Sequence, residues 1–287
     1  MPSFRPDELK YQLDRIRSGG QLAKSVDNLK LIFSLIDLTS LNTDDTSTVI
    51  KNMCLKINDF PYRFPDIPNV GAICVYPSLV HAVRENLKIQ SVQIASVAAG
   101  FPSSQTFLAV KEMECRMAVE AGANEIDIVL SVGKYLENDL DAVSREISRI
   151  KEVISPARLK VILESGLITE PSDIYKASMA SLRAGADFIK TSTGKIQPAA
   201  SPEAVFVMCH AIKDHYKETG IKGGIKPAGG IGTAEQALDY AGIVCSILGK
   251  EWLAPAYFRI GASRLSNQVL SEISLIETGK KEMVDYF

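Results

Sequence analysis

From residue 31 onward the chain alternates two kinds of run. Short apolar segments rich in Ile, Val and Leu are followed by longer ones in which apolar residues recur every three or four positions. The first kind predicts strands buried on both faces, the second amphipathic helices. Strands are expected over 31–38, 69–76, 92–98, 125–130, 159–164, 186–190, 223–226 and 257–260. Helices are expected over 44–57, 78–88, 107–121, 139–154, 172–184, 202–219, 233–241 and 263–278. Asp44 and Asp45 are candidate caps of the first, while Gly122, Pro156 and Gly185 stop later ones.

Eight strands, each followed by a helix, predict an α/β protein built as a single (β/α)8 TIM barrel. A doubly wound open sheet fits less well, because its first strand would lead into a glycine fingerprint. Here that strand leads to Thr39-Ser40-Leu41-Asn42. Before the barrel, Leu9, Leu13 and Ile16 recur at helical spacing and Ser18-Gly19-Gly20 ends the run. The expected division is an N-terminal helical extension over 1–30, the barrel over 31–280 and a tail over 281–287. The extension is expected to cover a barrel end or a partner subunit.

Alternation also assigns faces. The side of a barrel strand that meets the helices must be apolar, so polar residues between apolar ones point inward. Ile36 and Leu38 flank Asp37, and Ile126 and Ile128 flank Asp127. In the fifth strand Lys160, Ile162 and Glu164 share the inner face; in the sixth, Ala186, Phe188 and Lys190; in the seventh, Gly224 and Lys226. For Asp37 or Lys160 alone, a buried ion pair that holds the register is sufficient explanation. Five such charges in an interior normally filled by Val, Ile and Leu point to a site that tunes ionisation.

Lys190 closes its strand and is followed by Thr191-Ser192-Thr193-Gly194-Lys195, small residues that can bring backbone N–H groups to an anion. Taken alone, the stretch could equally be a surface lysine opening a Thr/Ser turn. Lys226 ends the next strand, about 4.8 Å away in a sheet. Two like charges about 4 Å apart repel by about 4 kcal/mol at an effective dielectric near 20. That repulsion lowers an amine's pKa toward neutrality, although the inward carboxylates oppose it. An uncharged amine is what attack on a carbonyl requires. The loops after the seventh and eighth strands, Pro227 to Thr233 and Gly261-Ala262-Ser263, are also small-residue entries into helices. Three such loops on adjacent strands favour a phosphate site over three unrelated tight turns.

Hydrophobic residues make up 46% and charged residues 23%, with a net charge of -2 and acids and bases interspersed. No basic stripe suggests nucleic acid, and no apolar run is long enough to span a bilayer. The first ten residues carry Arg5, Asp7, Glu8 and Lys10 without an apolar signal core, so a cytoplasmic place is expected. The five cysteines are widely spaced, and Cys74, in a strand-like run, reads first as a small buried hydrophobe. His81, His210 and His215 fall in helix-like runs with no metal-ligand spacing, so neither a metal nor a Ser-His-Asp arrangement is expected.

The stretches Asp37-Leu38-Thr39, Ala72 to Pro77, Glu125 to Val129, Leu159 to Glu164, Phe188 to Lys195, Lys226 to Ile231 and Arg259 to Ser263 together resemble the deoxyribose-phosphate aldolases, class I aldolases on a TIM barrel. The likeness spans nearly the whole barrel. It implies reversible cleavage of 2-deoxy-D-ribose 5-phosphate to D-glyceraldehyde 3-phosphate and acetaldehyde, in deoxyribonucleotide catabolism, with no cofactor or metal. It implies that Lys190 forms the Schiff base, that Lys226 lowers its pKa, and that Asp127, steadied by Lys160, relays protons through a water. Asp37 and Thr39 would meet substrate hydroxyls or ordered water, and Cys74 would line the pocket near the reacting carbon. Gly194, Lys195, Gly229, Gly230, Gly261 and Ser263 would hold the phosphate.

Two positions depart from the family pattern. Many members carry a basic residue after the Gly-Gly-Ile of the seventh loop, where this chain has Gly232. Some members end in a tyrosine on a tail that reaches the site, a role that falls to Tyr286, here followed by Phe287. The expected partner is a phosphosugar, with neither nucleic acid nor membrane, and a homodimer is one assembly the sequence allows. Two other readings stay open: a Schiff-base barrel acting on another phosphorylated aldehyde or ketone, and a non-catalytic phosphosugar-binding barrel.

Overall fold

The computed structural model describes residues 4–19, 22–280 and 282–287. Two helices lead in, α1 (Pro6–Ser18) and α2 (Val26–Ser34). The barrel then runs β1 (Ile36–Thr39), α3 (Ser47–Arg63), β2 (Ala72–Val75), α4 (Val80–Asn86), β3 (Gln93–Ala98), α5 (Leu108–Ala121) and β4 (Glu125–Val129). It continues through α6 (Val132–Leu136), α7 (Leu140–Ile154), β5 (Arg158–Ile162), α8 (Pro171–Arg183), β6 (Phe188–Lys190) and α9 (Pro202–Thr219). It ends with β7 (Gly224–Lys226), α10 (Ala234–Leu248), β8 (Ile260–Ala262) and α11 (Leu265–Thr278).

The sheet is parallel, in the order β7-β6-β5-β4-β3-β2-β1-β8. Backbone bridges Ile225 to Phe258 and Ala228 to Gly261 join its two ends, so the ring closes between β7 and β8. Closure leaves no exposed edge. Most of the apolar core lies between the strands and the surrounding helices. A separate small cluster, Leu41, Ala72, Cys74, Ala95 and Val97, sits where β2 and β3 turn their inner faces together.

The largest difference from expectation is at the first strand. Residues 31–34 belong to α2, because Leu29, Ile32 and Phe33 fall on one buried helical face and Ser25 caps it by accepting from the Asn28 N–H. A short apolar run fits either period, and here packing on α10 and α11 selects the helix. The N-terminal helical segment therefore runs on to Ser34, and both its helices lie against outer helices of the barrel. Gly20 lies outside the described residues. Thr46, not Asp44 or Asp45, is the cap of α3, accepting from Val49. The helix expected over 233–241 runs on to Leu248 as α10, because Ile243, Val244, Ile247 and Leu248 continue its buried face. The last strand starts at Ile260 rather than Tyr257, since a turn through Ala254 accepts from the Tyr257 and Phe258 N–H groups.

One interior contact depends on a missing side chain. Gly224 pairs with Phe188 across β6 and β7, and a Cβ on Gly224 would strike the Phe188 ring. Gly224→Ala is expected to cost about 1–3 kcal/mol through overpacking, seen as a lower urea midpoint at unchanged slope. An unchanged midpoint would mean that the ring can turn aside.

Candidate active site

The inward polar residues meet in one buried network. Lys160 reaches Asp127 Oδ1 at 3.0 Å and Glu125 Oε2 at 2.7 Å. Lys226 reaches Asp37 Oδ2 at 2.6 Å and Asp127 Oδ2 at 2.8 Å. Lys190 donates to the same Asp127 Oδ2 at 2.9 Å. Below them Arg259 spans Asp37 Oδ1 at 2.6 Å and Glu125 Oε1 at 2.9 Å. All seven side chains are buried. Lys190 and Lys226 are direct register partners on β6 and β7, so both ammonium groups rise on the same face to the same carboxylate.

Four cationic side chains, Lys160, Lys190, Lys226 and Arg259, thus face three carboxylates, Asp37, Glu125 and Asp127. One positive charge is in excess in a medium that solvates charge poorly. The shifts show where it is shed. Burial opposes the charged form of Lys226, but Asp127 and Asp37 outweigh it and raise its pKa. Lys160 likewise is raised by Asp127 and Glu125 against burial. Lys190 has Asp127 as its one carboxylate partner; burial first, and then Lys226, lower its pKa against Asp127 and, more weakly, Cys74. The expected neighbour effect is present, but burial is the larger cause. Burial also resists ionisation of Asp127, and Lys160, Lys190 and Lys226 nevertheless hold its carboxyl well below the ordinary range.

Lys190 is also the member of the network that opens to solvent. It forms part of the wall of a cleft of about 410 Å³ at the C-terminal ends of the strands, within the roughly 300–1,000 Å³ typical of small-molecule sites. Thr39 enters that cleft from β1. Gly194 and Lys195 line it from the loop after β6, Gly229 and Gly230 from the loop after β7, and Gly261 and Ser263 from β8 and beyond. Backbone shape is enforced here: Gly229 has φ +87°, and a Cβ would lie 2.7 Å from that of Ala199. The loops are cross-tied by Thr191 Oγ1, which accepts from the Ala228 N–H at 3.0 Å. Glu164 is not part of the charge network. It accepts from the Thr193 N–H and hydroxyl at 3.1 and 2.6 Å and holds the loop after β6 in place.

Three expectations need correction. Cys74 does not line the cleft; it is buried in the small apolar cluster of β2 and β3, close enough to Lys190 and Lys226 for their charges to act on it, and burial pushes its thiol pKa up. Tyr286 does not reach the cleft either. Its hydroxyl donates to the Lys56 carbonyl at 2.7 Å and its ring packs against Phe60 and Phe64, on the outer side of α3. His81 does pair with a carboxylate, Glu85 one turn on, at 3.0 Å on an exposed helix face. Two network members were missed. Glu125 shares the two-residue alternation of Asp127 and could have been read from it; Arg259 has the parity of Gly261 in the last strand. Among the described residues no group of three metal donors occurs, and no helix is long and apolar enough to cross a membrane.

A lysine with lowered pKa, hydrogen-bonded to a carboxylate and set on the wall of a cleft of glycine loops, can add to a carbonyl while an anionic end is held nearby. A family model described as DeoC/LacD family aldolase matches residues 31–249. The deoxyribose-phosphate aldolase of Homo sapiens is 41% identical over 258 residues, 86% of this chain and 81% of that one. The deoxyribose-phosphate aldolase of Mus musculus is 40% identical over the same coverage, 86% and 81%. Among solved structures, the tetrameric deoxyribose phosphate aldolase of Aeropyrum pernix is 26% identical, with a TM-score of 0.67 over 93% of this chain and 98% of that one.

Proposed function

The chain belongs to the DeoC/LacD family of aldolases, and on that premise we propose that it is a lyase cleaving 2-deoxy-D-ribose 5-phosphate reversibly, through a Schiff base on Lys190. The observation that carries this reading is the shared carboxylate: Lys190 and Lys226 both bind Asp127 Oδ2, and only Lys190 opens to the cleft.

In this reading uncharged Lys190 adds to C1 of the open-chain sugar, and the carbinolamine loses water to give an iminium. The iminium withdraws the electron pair of the C2–C3 bond, the bond that must break because acetaldehyde keeps only C1 and C2. The C3 hydroxyl loses its proton and becomes the aldehyde of D-glyceraldehyde 3-phosphate. The enamine left on Lys190 takes a proton at C2 and is hydrolysed to acetaldehyde and free amine. Lys226 stays charged and, after burial, helps lower the pKa of Lys190. Asp127 remains an anion at rest, so its part is to steady the ammonium groups and pass protons through an intervening water. Lys160 holds Asp127; Asp37 holds Lys226, with Thr39 beside it at the cleft to meet substrate hydroxyls. The phosphate is taken by Gly194, Lys195, Gly229, Gly230, Gly261 and Ser263.

The proposed domain division keeps the three parts expected from the sequence, with the first boundary moved from 30 to Ser34: a helical extension, a barrel to 280 and a tail over 281–287. A cytoplasmic place and a part in deoxyribonucleotide catabolism belong to the same proposal. So does self-assembly, supported by exposed Val110, Met113 and Met117 along α5 and Phe107 at its N-cap.

The direct test is reduction with borohydride in the presence of acetaldehyde, followed by peptide mass analysis. An ethyl group on Lys190 is expected. An adduct on another lysine moves the nucleophile, and cleavage with no adduct excludes the Schiff base. Cleavage of other sugar phosphates in preference would favour a related aldolase instead.

A further inference from the structure

We propose that Arg264 is the second cation of the phosphate end of the cleft and sets the preference for phosphorylated over unphosphorylated sugar; this rests on the aldolase reading above. The cleft wall carries Lys190, Lys195 and Arg264 and not one carboxylate. Lys190 is committed to Asp127, and the Lys195 ammonium is already donating to the Leu41 carbonyl at 2.5 Å. Arg264 is exposed and, among the described residues, makes no ion pair or side-chain hydrogen bond.

Its position strengthens the point. Arg264 stands at the N-cap of α11, where no side chain accepts from the first-turn amides. A guanidinium cannot accept a hydrogen bond, and it adds positive charge at the positive end of the helix. Without an anion this is a poor cap. The other helix that starts beside the cleft is different. At α10, Gln236 Oε1 accepts from the Gly232 and Thr233 N–H groups at 2.9 and 3.2 Å, and Thr233 Oγ1 accepts from the Gln236 N–H at 3.2 Å. Those amides are spent within the helix start, whereas those of α11 are not. Gly232 has open space where a side chain would stand, which leaves room for a guanidinium from the neighbouring loop. A phosphate dianion there would give α11 its acceptors and Arg264 its counter-charge, by two parallel N–H···O bonds.

The test compares the full-length wild type with Arg264→Gln and Arg264→Lys on 2-deoxy-D-ribose 5-phosphate and on 2-deoxy-D-ribose. Arg264→Gln should raise KM for the phosphorylated sugar at least about tenfold, the effect of losing a charged hydrogen bond. The loss in kcat should be much smaller, Arg264→Lys should recover part of the KM, and kcat/KM for 2-deoxy-D-ribose should fall far less. An unchanged KM, or equal losses on both sugars, overturns the proposal. If the wild type cleaves neither sugar, the aldolase reading fails, and calorimetry with inorganic phosphate decides about Arg264 separately. Weaker phosphate binding in Arg264→Gln supports its role; equal binding, or none to either protein, overturns it.

Discussion

Lys190→Met abolishes aldol cleavage and the borohydride adduct while leaving the barrel folded. Loss of an enzyme's covalent nucleophile lowers turnover by at least roughly 10⁴-fold, and among the described residues Lys190 is the one amine that belongs both to the buried charge network and to the cleft wall. Stability should hold or rise. Removing Lys190 leaves Lys160, Lys226 and Arg259 against Asp37, Glu125 and Asp127, so the interior charges balance. The pH dependence follows the same sign. With a folded pKa below the unfolded one, native Lys190 binds fewer protons than the unfolded chain between the two values, so it makes stability rise with pH there. Urea midpoints across mildly alkaline pH should show this slope in the wild type and a smaller one in Lys190→Met. Substantial turnover by the variant, or a trapped adduct on Lys195 or Lys226, would remove Lys190 from its role.

Asp127→Asn has the opposite effect on stability. The amide keeps the shape and loses the charge that three ammonium groups share. Two carboxylates then face four cations. Breaking a buried ion cluster from one side costs about 3–5 kcal/mol, less whatever Lys190 recovers by giving up its proton. Asp127 is the largest of the causes that raise the Lys190 pKa, so that pKa should fall further. Turnover should still drop by about 10² or more, because the proton relay is gone. The acid limb provides a sign check. A carboxylate whose pKa is depressed on folding contributes stability above its unfolded pKa, and loses it as pH falls through the folded one. The gap between wild type and variant should therefore be full at neutral pH and close in strong acid. Equal urea midpoints at neutral pH would show that Asp127 is not the keystone of the network.

Much of this was legible in the chain. The change from short continuous apolar runs to three-or-four spacing located eight strand–helix pairs, and the parity of Asp37, Asp127, Lys160, Lys190 and Lys226 put all five inside. The glycine loops after β6, β7 and β8 were visible as composition, and they do line one cleft. These features are local, since a side chain's face depends only on its own strand and a loop's freedom only on its own residues.

What meets what was not local. Parity says that a residue points inward; it does not say at what height in the ring it sits, which depends on the stagger of the strands. That stagger brings Asp127 of β4 to the lysines of β5, β6 and β7, and sets Arg259 below them between Asp37 and Glu125. It also leaves Cys74 behind the cleft wall, packed with Leu41, Ala72, Ala95 and Val97 and within reach of the Lys190 and Lys226 charges. Residues 31–34 became helix, and Tyr286 settled on α3, because each found its apolar partners in distant parts of the chain. One-dimensional pattern selected the faces, and only closure of the ring selected the neighbours, because Coulomb and packing energies depend on distances that no run of residues contains.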